Sequence, residues 1–266
     1  MSVPLMYIKK ESFMHSLDPR TKMFIITVSI IPPIIFAYPL LSFFVFLVSI
    51  FWAILGKITR TYLWTLTKTV GWVLLLLFLV QGFFNPVGQT VLFTVAPGIA
   101  LKREGAIFAL VIISRLLAIF GIMYVFTMTT HPSDLLISLS MLGMPYKIVY
   151  ALFSTINIVP LVSIRMETIK EAQKSRGLII EGNPIRKILA FIPLITPLLL
   201  GSIIEAQERA MALEARGFSA PVKKTFIREL KIRGRDKGMM FLAVVLYGLL
   251  IVSGVLYPTF YSWLPF

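Results

Sequence analysis

Residues 146–177 read YKIVYALFSTINIVPLVSIRMETIKEAQKSRG, and this stretch decides how the fold is interpreted. Its first half is apolar, whereas its second half mixes acids and bases in the manner of an amphipathic helix. Glycine takes the left-handed conformation that ends a helix without strain, so Gly177 is the expected stop. The stretch therefore predicts one long helix, or a pair kinked at Pro160, that displays Arg176 at its last position.

A second copy of this pattern follows in residues 183–217, although few residues are identical. Asn183 suits the N-cap and Pro184 the first helical position, where its missing N–H costs nothing. An apolar run and a charged half come next, and Gly217 ends the helix behind Arg216. We interpret the two copies as an internal repeat of one architectural unit.

The paired arginines have an ordinary and a functional interpretation. A cation at a helix C-terminus complements the helix dipole by about 0.3–1 kcal/mol, so a single Arg-Gly end is commonly a simple stop. Two such ends in one small region favour a pair of bidentate contacts to carboxylates on a partner, because the planar guanidinium fixes geometry as well as charge. The candidate docking residues are Ser175, Arg176, Gly177, Ala215, Arg216 and Gly217.

The composition indicates an integral membrane protein. Hydrophobic residues make up 58% of the 266 residues and charged residues 14%, whereas soluble domains have about 45–50% and about 25%. Cysteine is absent, which excludes disulfides and thiolate ligands. The two histidines, His15 and His131, are far apart in the sequence, so we expect no metal site.

Hydropathy predicts an all-α fold with about five membrane-spanning helices, each near the ~20 residues that cross a bilayer. They are 22–38, 40–56, 66–84, 107–127 and 238–257. Two further apolar runs, 148–164 and 188–204, would raise the number to seven. Seven spans would place the basic stretch between these runs outside, against the positive-inside rule, so we interpret both runs as helices of a cytoplasmic or interfacial region.

The charge distribution predicts the topology. Basic residues concentrate in the segments that lie inside if the N-terminus is inside, and the formal net charge is +14. We expect a transmembrane domain at 1–127, a cytoplasmic domain at 128–237 and a last transmembrane helix within 238–266. The basic run before that helix suits anionic lipid headgroups better than nucleic acid, since no nucleic-acid-binding fold accompanies it.

Two other segments carry the local signals of helix starts. Asp18 can cap the first span, and Pro19 fits its first helical position, followed by Arg20. Pro132 and Asp134 suit the first turn of a short helix in the same way, by the preference of proline and by the helix dipole. We expect these five residues to form a structural motif.

The apolar halves of the repeat are richer in large side chains than one packed hairpin requires. They form either a buried helix core or a platform on which another membrane protein sits. The candidate platform residues are Leu152, Ile156, Pro160, Ile192, Pro193, Pro197 and Leu199.

Arg115 lies near the middle of the span at 107–127, where a charged side chain is costly and usually faces protein or water. We expect a structural contact to a backbone carbonyl or to a polar residue of another helix, such as Gln81. A residue on a transport path is the alternative.

These segments resemble the transmembrane T component of energy-coupling factor (ECF) transporters over essentially the whole chain. The resemblance is strongest at SFMHSLDPRTKM (12–23), at HPSDLL (131–136) and at the two Arg-Gly tips. The tips match the paired Ala-Arg-Gly-type motif of the family, with Ser175 in place of alanine in the first copy.

The resemblance implies a bacterial cell-membrane scaffold whose cytoplasmic part, 128–237, is a coupling domain of long amphipathic crossing helices. It implies that two ATP-binding-cassette ATPases, of the EcfA and EcfA′ type, dock at Arg176 and Arg216. A small membrane S component that captures a vitamin or similar micronutrient would rest on the apolar halves. ATP and Mg²⁺ would be used by the ATPases, so the scaffold itself would bind no cofactor and catalyse no reaction.

A stand-alone secondary transporter with seven spans is the main alternative, and it would place Arg176 and Arg216 on opposite faces of the membrane. The chain has no Gly-x-x-x-x-Gly-Lys-Ser/Thr loop to cradle a nucleotide, so the scaffold interpretation requires energy from another subunit. Carboxylates are missing from the five predicted spans, which disfavours an ion-coupled carrier.

Overall fold

The computed structural model of the chain describes residues 7–8, 10, 12–36, 38–84, 91–96, 99–178, 183–222 and 232–256. Its helices within these ranges are α1 (Pro19–Ile35), α2 (Pro39–Leu55), α3 (Thr59–Leu66), α4 (Trp72–Phe84), α5 (Arg103–Thr129), α6 (Pro132–Met141), α7 (Tyr146–Ser175), α8 (Pro184–Ala215) and α9 (Gly234–Leu256). A π-helical turn, Thr67–Gly71, joins α3 to α4 without a break, and a 3-10 turn, Met14–Ser16, precedes α1. The all-α prediction is confirmed in these ranges, apart from one short hairpin.

That hairpin consists of two antiparallel strands, β1 (Val91–Ala96) and β2 (Ile99–Lys102). It lies in the segment between α4 and α5, which the sequence analysis treated only as a connection. Bulges between the paired positions interrupt its register, so it is a short irregular ribbon rather than part of a sheet.

The described residues fall into two compact units, whose boundary lies within α6. The bundle unit contains α1–α5 and α9, from residues 6–138 and 230–266. The long-helix unit contains α7 and α8, from residues 139–229. The predicted cytoplasmic domain has the bounds 128–237, and its placement relative to the membrane stays a prediction.

Five helical segments within the described residues are long and apolar enough to cross a membrane. They are Thr59–Phe83, Arg103–Thr129, Tyr146–Ser175, Ile188–Ala215 and Gly234–Leu256. The number agrees with the sequence analysis, but the set differs. It includes α7 and α8, which we assigned to the cytoplasmic region, and it omits α1 and α2, which have only 17 residues each.

The span predicted at 66–84 begins earlier than expected, at Thr59. Arg60 lies in the added turns and lowers their hydropathy, although a long basic side chain near a helix end can reach the headgroup region. Lys68 places its Nζ 4.7 Å from the ring centroid of Trp64, a cation–π contact on the same helix.

The bundle unit is organised around α5, which packs against α1, α2, α3 and α4. Helices in a membrane gain little from the hydrophobic effect against one another, so close approach through small residues provides much of their association. The small residues of α2 and α5 fit this rule, because the following are buried: Ser42, Ser49, Ala53, Ala109, Ala118 and Gly121.

Gly121 marks the closest approach in this packing. A Cβ at this position would lie 2.6 Å from Ser49 Oγ and 2.7 Å from Tyr62 Oη, both below van der Waals contact. These two oxygens are hydrogen-bonded to each other at 2.8 Å, which holds α2 and α3 together beside α5.

We expect Gly121→Ala to destabilise the bundle by about 1–3 kcal/mol, because the added methyl group forces rigid neighbours apart. The measurement is the thermal unfolding midpoint of the purified protein in detergent. Gly248→Ala in α9 is the matched control, since a Cβ there meets nothing within 4 Å. Equal midpoints for the two variants would contradict the close packing at Gly121.

Arg115 makes the contact that the sequence analysis favoured. Its Nη2 donates to the backbone carbonyl oxygen of Phe36 at 3.4 Å, just beyond the end of α1. The predicted contact to a backbone carbonyl is therefore confirmed, and Phe36 rather than Gln81 provides it.

Candidate functional site

The two arginines occupy the same backbone position. Arg176 has φ −86° and ψ 7°, and Arg216 has φ −85° and ψ 6°. Each follows the last residue of its helix as the C-cap, one position later than the sequence analysis placed it. Gly177 and Gly217 then have φ +89° and +72°, so the predicted left-handed stops are confirmed.

The first tip, residues 173–178, is a Schellman motif. The N–H of Gly177 donates to the carbonyl oxygen of Lys174 at 2.9 Å, and the N–H of Leu178 donates to that of Gln173 at 3.0 Å. These two bonds satisfy carbonyls that the end of α7 would otherwise leave unpaired. The tip is therefore a fixed backbone structure that presents Arg176.

The second tip, residues 213–218, repeats this pattern bond for bond. The N–H of Gly217 donates to the carbonyl oxygen of Glu214 at 2.9 Å, and the N–H of Phe218 donates to that of Leu213 at 3.0 Å. The repeat inferred from the sequence thus has a structural counterpart at both helix ends.

The helix α6 ends with the same motif but without an arginine. Gly143 has φ +103° and its N–H donates to Ser140, while the N–H of Met144 donates to Leu139. Leu142 occupies the position that Arg176 and Arg216 take at the other two ends. The Schellman motif is therefore a general stop in this chain, and the arginine is what sets the two tips apart.

Both tip arginines are exposed. The ion pairs found in the described ranges involve neither Arg176 nor Arg216. Two exposed guanidinium groups at rigid helix ends can reach an external carboxylate without breaking an internal pair.

The helices α7 and α8 are joined by an ion pair between Arg165 Nη1 and Glu205 Oε2. Glu205 also accepts from Arg209 Nη2 on its own helix at 2.6 Å. Arg165 precedes Arg176 by as many residues as Glu205 precedes Arg216, so Arg165 and Glu205 occupy equivalent positions of the repeat. The pair therefore links the two copies at their shared position.

An open groove lies beside this ion pair, between α7 and α8. Its volume is about 480 Å³, and it is lined by Arg165, Thr168, Ile169, Pro197, Leu198, Gly201, Ile204, Glu205 and Glu208. The charged pair therefore forms part of the wall of this groove.

The second tip has an aromatic attachment on α7. The ring of Phe218 lies 5.6 Å from that of Tyr146 and 5.0 Å from that of Tyr150, centroid to centroid. Such distances are typical of favourable aromatic pairs. The contact fixes the position of the chain after Arg216 relative to the start of α7.

The candidate platform residues are largely uncovered. Leu152, Ile192 and Leu199 expose 41%, 63% and 56% of their surface, and Pro197 is also exposed, while Ile156, Pro160 and Pro193 are half-buried. Within the described part of the long-helix unit, the buried apolar side chains are Val149, Ala190 and Leu194. The apolar halves therefore form no closed core of their own.

The predicted start of α1 is confirmed. Asp18 caps the helix by accepting from the N–H of Arg20 at 2.9 Å, and Pro19 is the first helical residue. The Arg20 guanidinium also binds the Asp18 carboxylate at 3.1 and 3.2 Å. Pro132 and Asp134 lie in the first turn of α6, as predicted.

Two buried charges join this motif to other helices, and the sequence analysis missed both. Asp236 of α9 accepts from the N–H of Asp18 at 3.0 Å and from the N–H of Arg233 at 2.8 Å. Lys22 is 4% exposed and donates to the carbonyl oxygen of Thr129 at 2.9 Å. The sequence did hold a signal for Asp236, because it is a single acid between Arg235 and Lys237.

His15 holds the segment before α1 in place. Its Nε2 donates to the carbonyl oxygen of Ile8 at 2.8 Å, and its Nδ1 accepts from the Ser12 hydroxyl at 2.7 Å. Burial lowers the pKa of His15 and nearby Lys22 and Lys10 act in the same direction, although the Ile8 contact opposes them. The ring is therefore neutral near pH 7 in this arrangement.

Asn183 occupies the N-cap position of α8, but its side chain makes no capping hydrogen bond. The helix start was predicted correctly and the capping bond was not. In the described ranges, no three His, Cys, Asp or Glu side chains are grouped as metal ligands.

Comparison with protein families identifies one matching family model. The model described as "Cobalt transport protein" (CbiQ) matches residues 10–226, which include the α1 motif, α6 and both tips.

Several curated proteins are similar to this chain over most of its length. The chain is 33% identical over 241 residues to the energy-coupling factor transporter transmembrane protein EcfT of Staphylococcus aureus, which covers 86% of this chain and 88% of that protein. The protein of the same name from Leuconostoc gelidum is 30% identical over 260 residues, with 87% and 89% covered. The protein of that name from Bacillus subtilis is 28% identical over 260 residues, which cover 92% of this chain and 95% of that protein.

Proposed function

Since this chain belongs to the family of energy-coupling factor transporter transmembrane proteins, in which it is a coupling subunit of the transporter, we propose that its two arginine tips each hold one ATP-hydrolysing subunit. The observation that carries this proposal is the pair of identical Schellman ends with exposed arginines at Arg176 and Arg216. The seven-span secondary transporter is not favoured, because the relatives are named as transmembrane proteins of energy-coupling factor transporters.

The catalytic work lies in the partners under this proposal. This sequence contains no Gly-x-x-x-x-Gly-Lys-Ser/Thr loop, so ATP and Mg²⁺ are bound by the docked ATPases, of the EcfA and EcfA′ type. Ser175, Gly177, Ala215 and Gly217 act with the arginines by keeping each tip narrow, because none of their side chains is large.

The apolar halves of α7 and α8 carry the S component, a small membrane protein that binds a vitamin or similar micronutrient. Their exposed leucine, isoleucine and proline side chains form no closed core in the chain itself. A partner that covers the water-exposed part of this surface gains about 25 cal/mol for each Å² of apolar area removed from water. ATPase movement then reaches the S component through the same two helices that bear the tips.

The protein spans the bacterial cell membrane several times, with its N-terminus in the cytoplasm. The basic residues Lys57 and Arg60 precede the third predicted span on the inner side, in agreement with the positive-inside rule. The tips then also face the cytoplasm, where soluble ATPases are available.

Affinity purification from the native host in mild detergent tests the proposal. We expect two ATP-binding-cassette ATPases and a small hydrophobic protein to accompany the tagged chain, identified by mass spectrometry. A chain that purifies alone and still transports a solute in liposomes would overturn the proposal.

The orientation of the tips has its own test, which the lack of native cysteine makes clean. We expect Ser175→Cys and Ala215→Cys both to react with a membrane-impermeant maleimide in inside-out vesicles and neither to react in right-side-out vesicles. Lys57→Cys and Gln89→Cys serve as controls for the predicted inner and outer faces. Labelling of the two tips from opposite sides would instead support seven spans.

A further inference from the structure

The two tips share their backbone geometry but differ in charge at one matched position. Lys174 and Glu214 each stand two residues before the tip arginine. The backbone carbonyl oxygen of each accepts a hydrogen bond at 2.9 Å, from the N–H of Gly177 and of Gly217 respectively. Both side chains are exposed. Because the backbone geometry is the same at both tips, the two positions differ only in the side chain, which is a base at the first tip and an acid at the second.

Helix stability alone would select a base at both positions. The C-terminal end of a helix carries partial negative charge, which Lys174 complements and Glu214 opposes. The Ser219 hydroxyl donates to Glu214 Oε1 at 2.7 Å and offsets part of this repulsion. An acid kept where the helix dipole disfavours it suggests a role outside the helix.

The difference in charge holds over the whole last turn of each helix. Residues 173–177 at the first tip carry two bases and no acid, whereas residues 213–217 at the second tip carry one base and one acid. The first tip therefore presents a net positive surface around its arginine, and the second presents a balanced one.

Given two different ATPase subunits, as in the proposed function, we infer that Lys174 and Glu214 determine which subunit each tip holds. The tip with Lys174 takes the subunit with the more acidic socket, and the tip with Glu214 takes the subunit whose socket offers a base. Charge complementarity at an interface chiefly sets specificity, and a like charge rejects the wrong partner. This inference rests on the proposed docking of ATPases.

Site-specific crosslinking in the intact complex tests the inference. Ser175→Cys and Ala215→Cys each place one reactive thiol at a tip, and mass spectrometry identifies the ATPase captured there by a short thiol–amine crosslinker. We expect each tip to capture a different ATPase. The charge exchange Lys174→Glu with Glu214→Lys should shift the ratio of the two captured ATPases by about fivefold at each tip, the scale of exposed ion pairs.

Lys147→Glu is the matched control, because it reverses an exposed lysine at the other end of α7. It should leave the ratio unchanged. The same ATPase at both tips, or a ratio that the exchange does not move, would overturn the inference while leaving docking intact. Failure of both tips to capture any ATPase would overturn the docking proposal and the inference together.

Discussion

A variant that carries both Arg176→Ala and Arg216→Ala should lose transport while it still inserts into the membrane. Each arginine is exposed at a rigid helix end, so its removal leaves the fold unchanged. Loss of a charge-assisted hydrogen bond costs about 1–3 kcal/mol, and the two distant contacts should add. Solute uptake and ATPase co-purification are the two measurements.

Each single variant should retain part of its ATPase binding, since the other tip is intact. Arg176→Lys with Arg216→Lys should give an intermediate loss, because lysine keeps the charge but cannot form a bidentate contact. Leu142→Ala is the control, since Leu142 takes the same cap position at the end of α6. Normal uptake by the double alanine variant would refute docking at the tips.

The helix ends were predictable because local rules determine them. Gly177 and Gly217 end their helices because glycine, which lacks a Cβ, adopts a positive φ without strain. Pro19 and Pro132 begin their helices because proline suits the first turn. These effects act within one turn and need no knowledge of the tertiary fold. The Asn183 side chain shows the limit, because a capping residue can hold the right position without making the bond.

The contacts between distant residues were not predictable from one sequence. Asp236 reaches the N–H of Asp18 across 218 residues, and Lys22 reaches Thr129 across 107. Their pairing depends on how the helices pack, which hydropathy does not encode. The same reason explains Gly121, whose neighbours Ser49 and Tyr62 are known only once α5 meets α2 and α3.

The composition of a helix also left its environment undetermined. The helices α7 and α8 satisfy the length and hydropathy of a membrane span, yet the charges around them favour a cytoplasmic position. A long helix with one apolar half and one charged half meets both descriptions. The arginine tips were identified from the repeat instead, because two matching ends are more specific than one.

Arg165→Glu should reduce uptake to near background while ATPase co-purification persists. The substitution replaces the attraction to Glu205 by repulsion and adds a third acid beside Glu208 in the groove between α7 and α8. The link between the two helices is then lost, although both tips keep their Schellman motifs. A separation of docking from transport would identify the ion pair as a positioning contact rather than a docking site.

Lys170→Glu provides the matched control for this variant. It also reverses a base on α7 and breaks an ion pair, but its partner Glu167 lies on the same helix at 3.0 Å. Pairs of that kind contribute only about 0.2–0.5 kcal/mol, so uptake should remain close to that of the parent protein. Equal losses from the two variants would mean that surface charge, and not the link between α7 and α8, determines transport.

Reversing the ion pair tests whether Arg165 acts through its charge. Arg165→Glu combined with Glu205→Arg restores opposite charges across the two helices and should recover much of the uptake. Recovery should be incomplete, because the new base on α8 stands four residues before Arg209 and repels it, whereas Glu205 now binds that residue. Adding Arg209→Glu removes this repulsion and should raise uptake further. An exchange that recovers nothing would show that Arg165 acts through something other than its charge on Glu205.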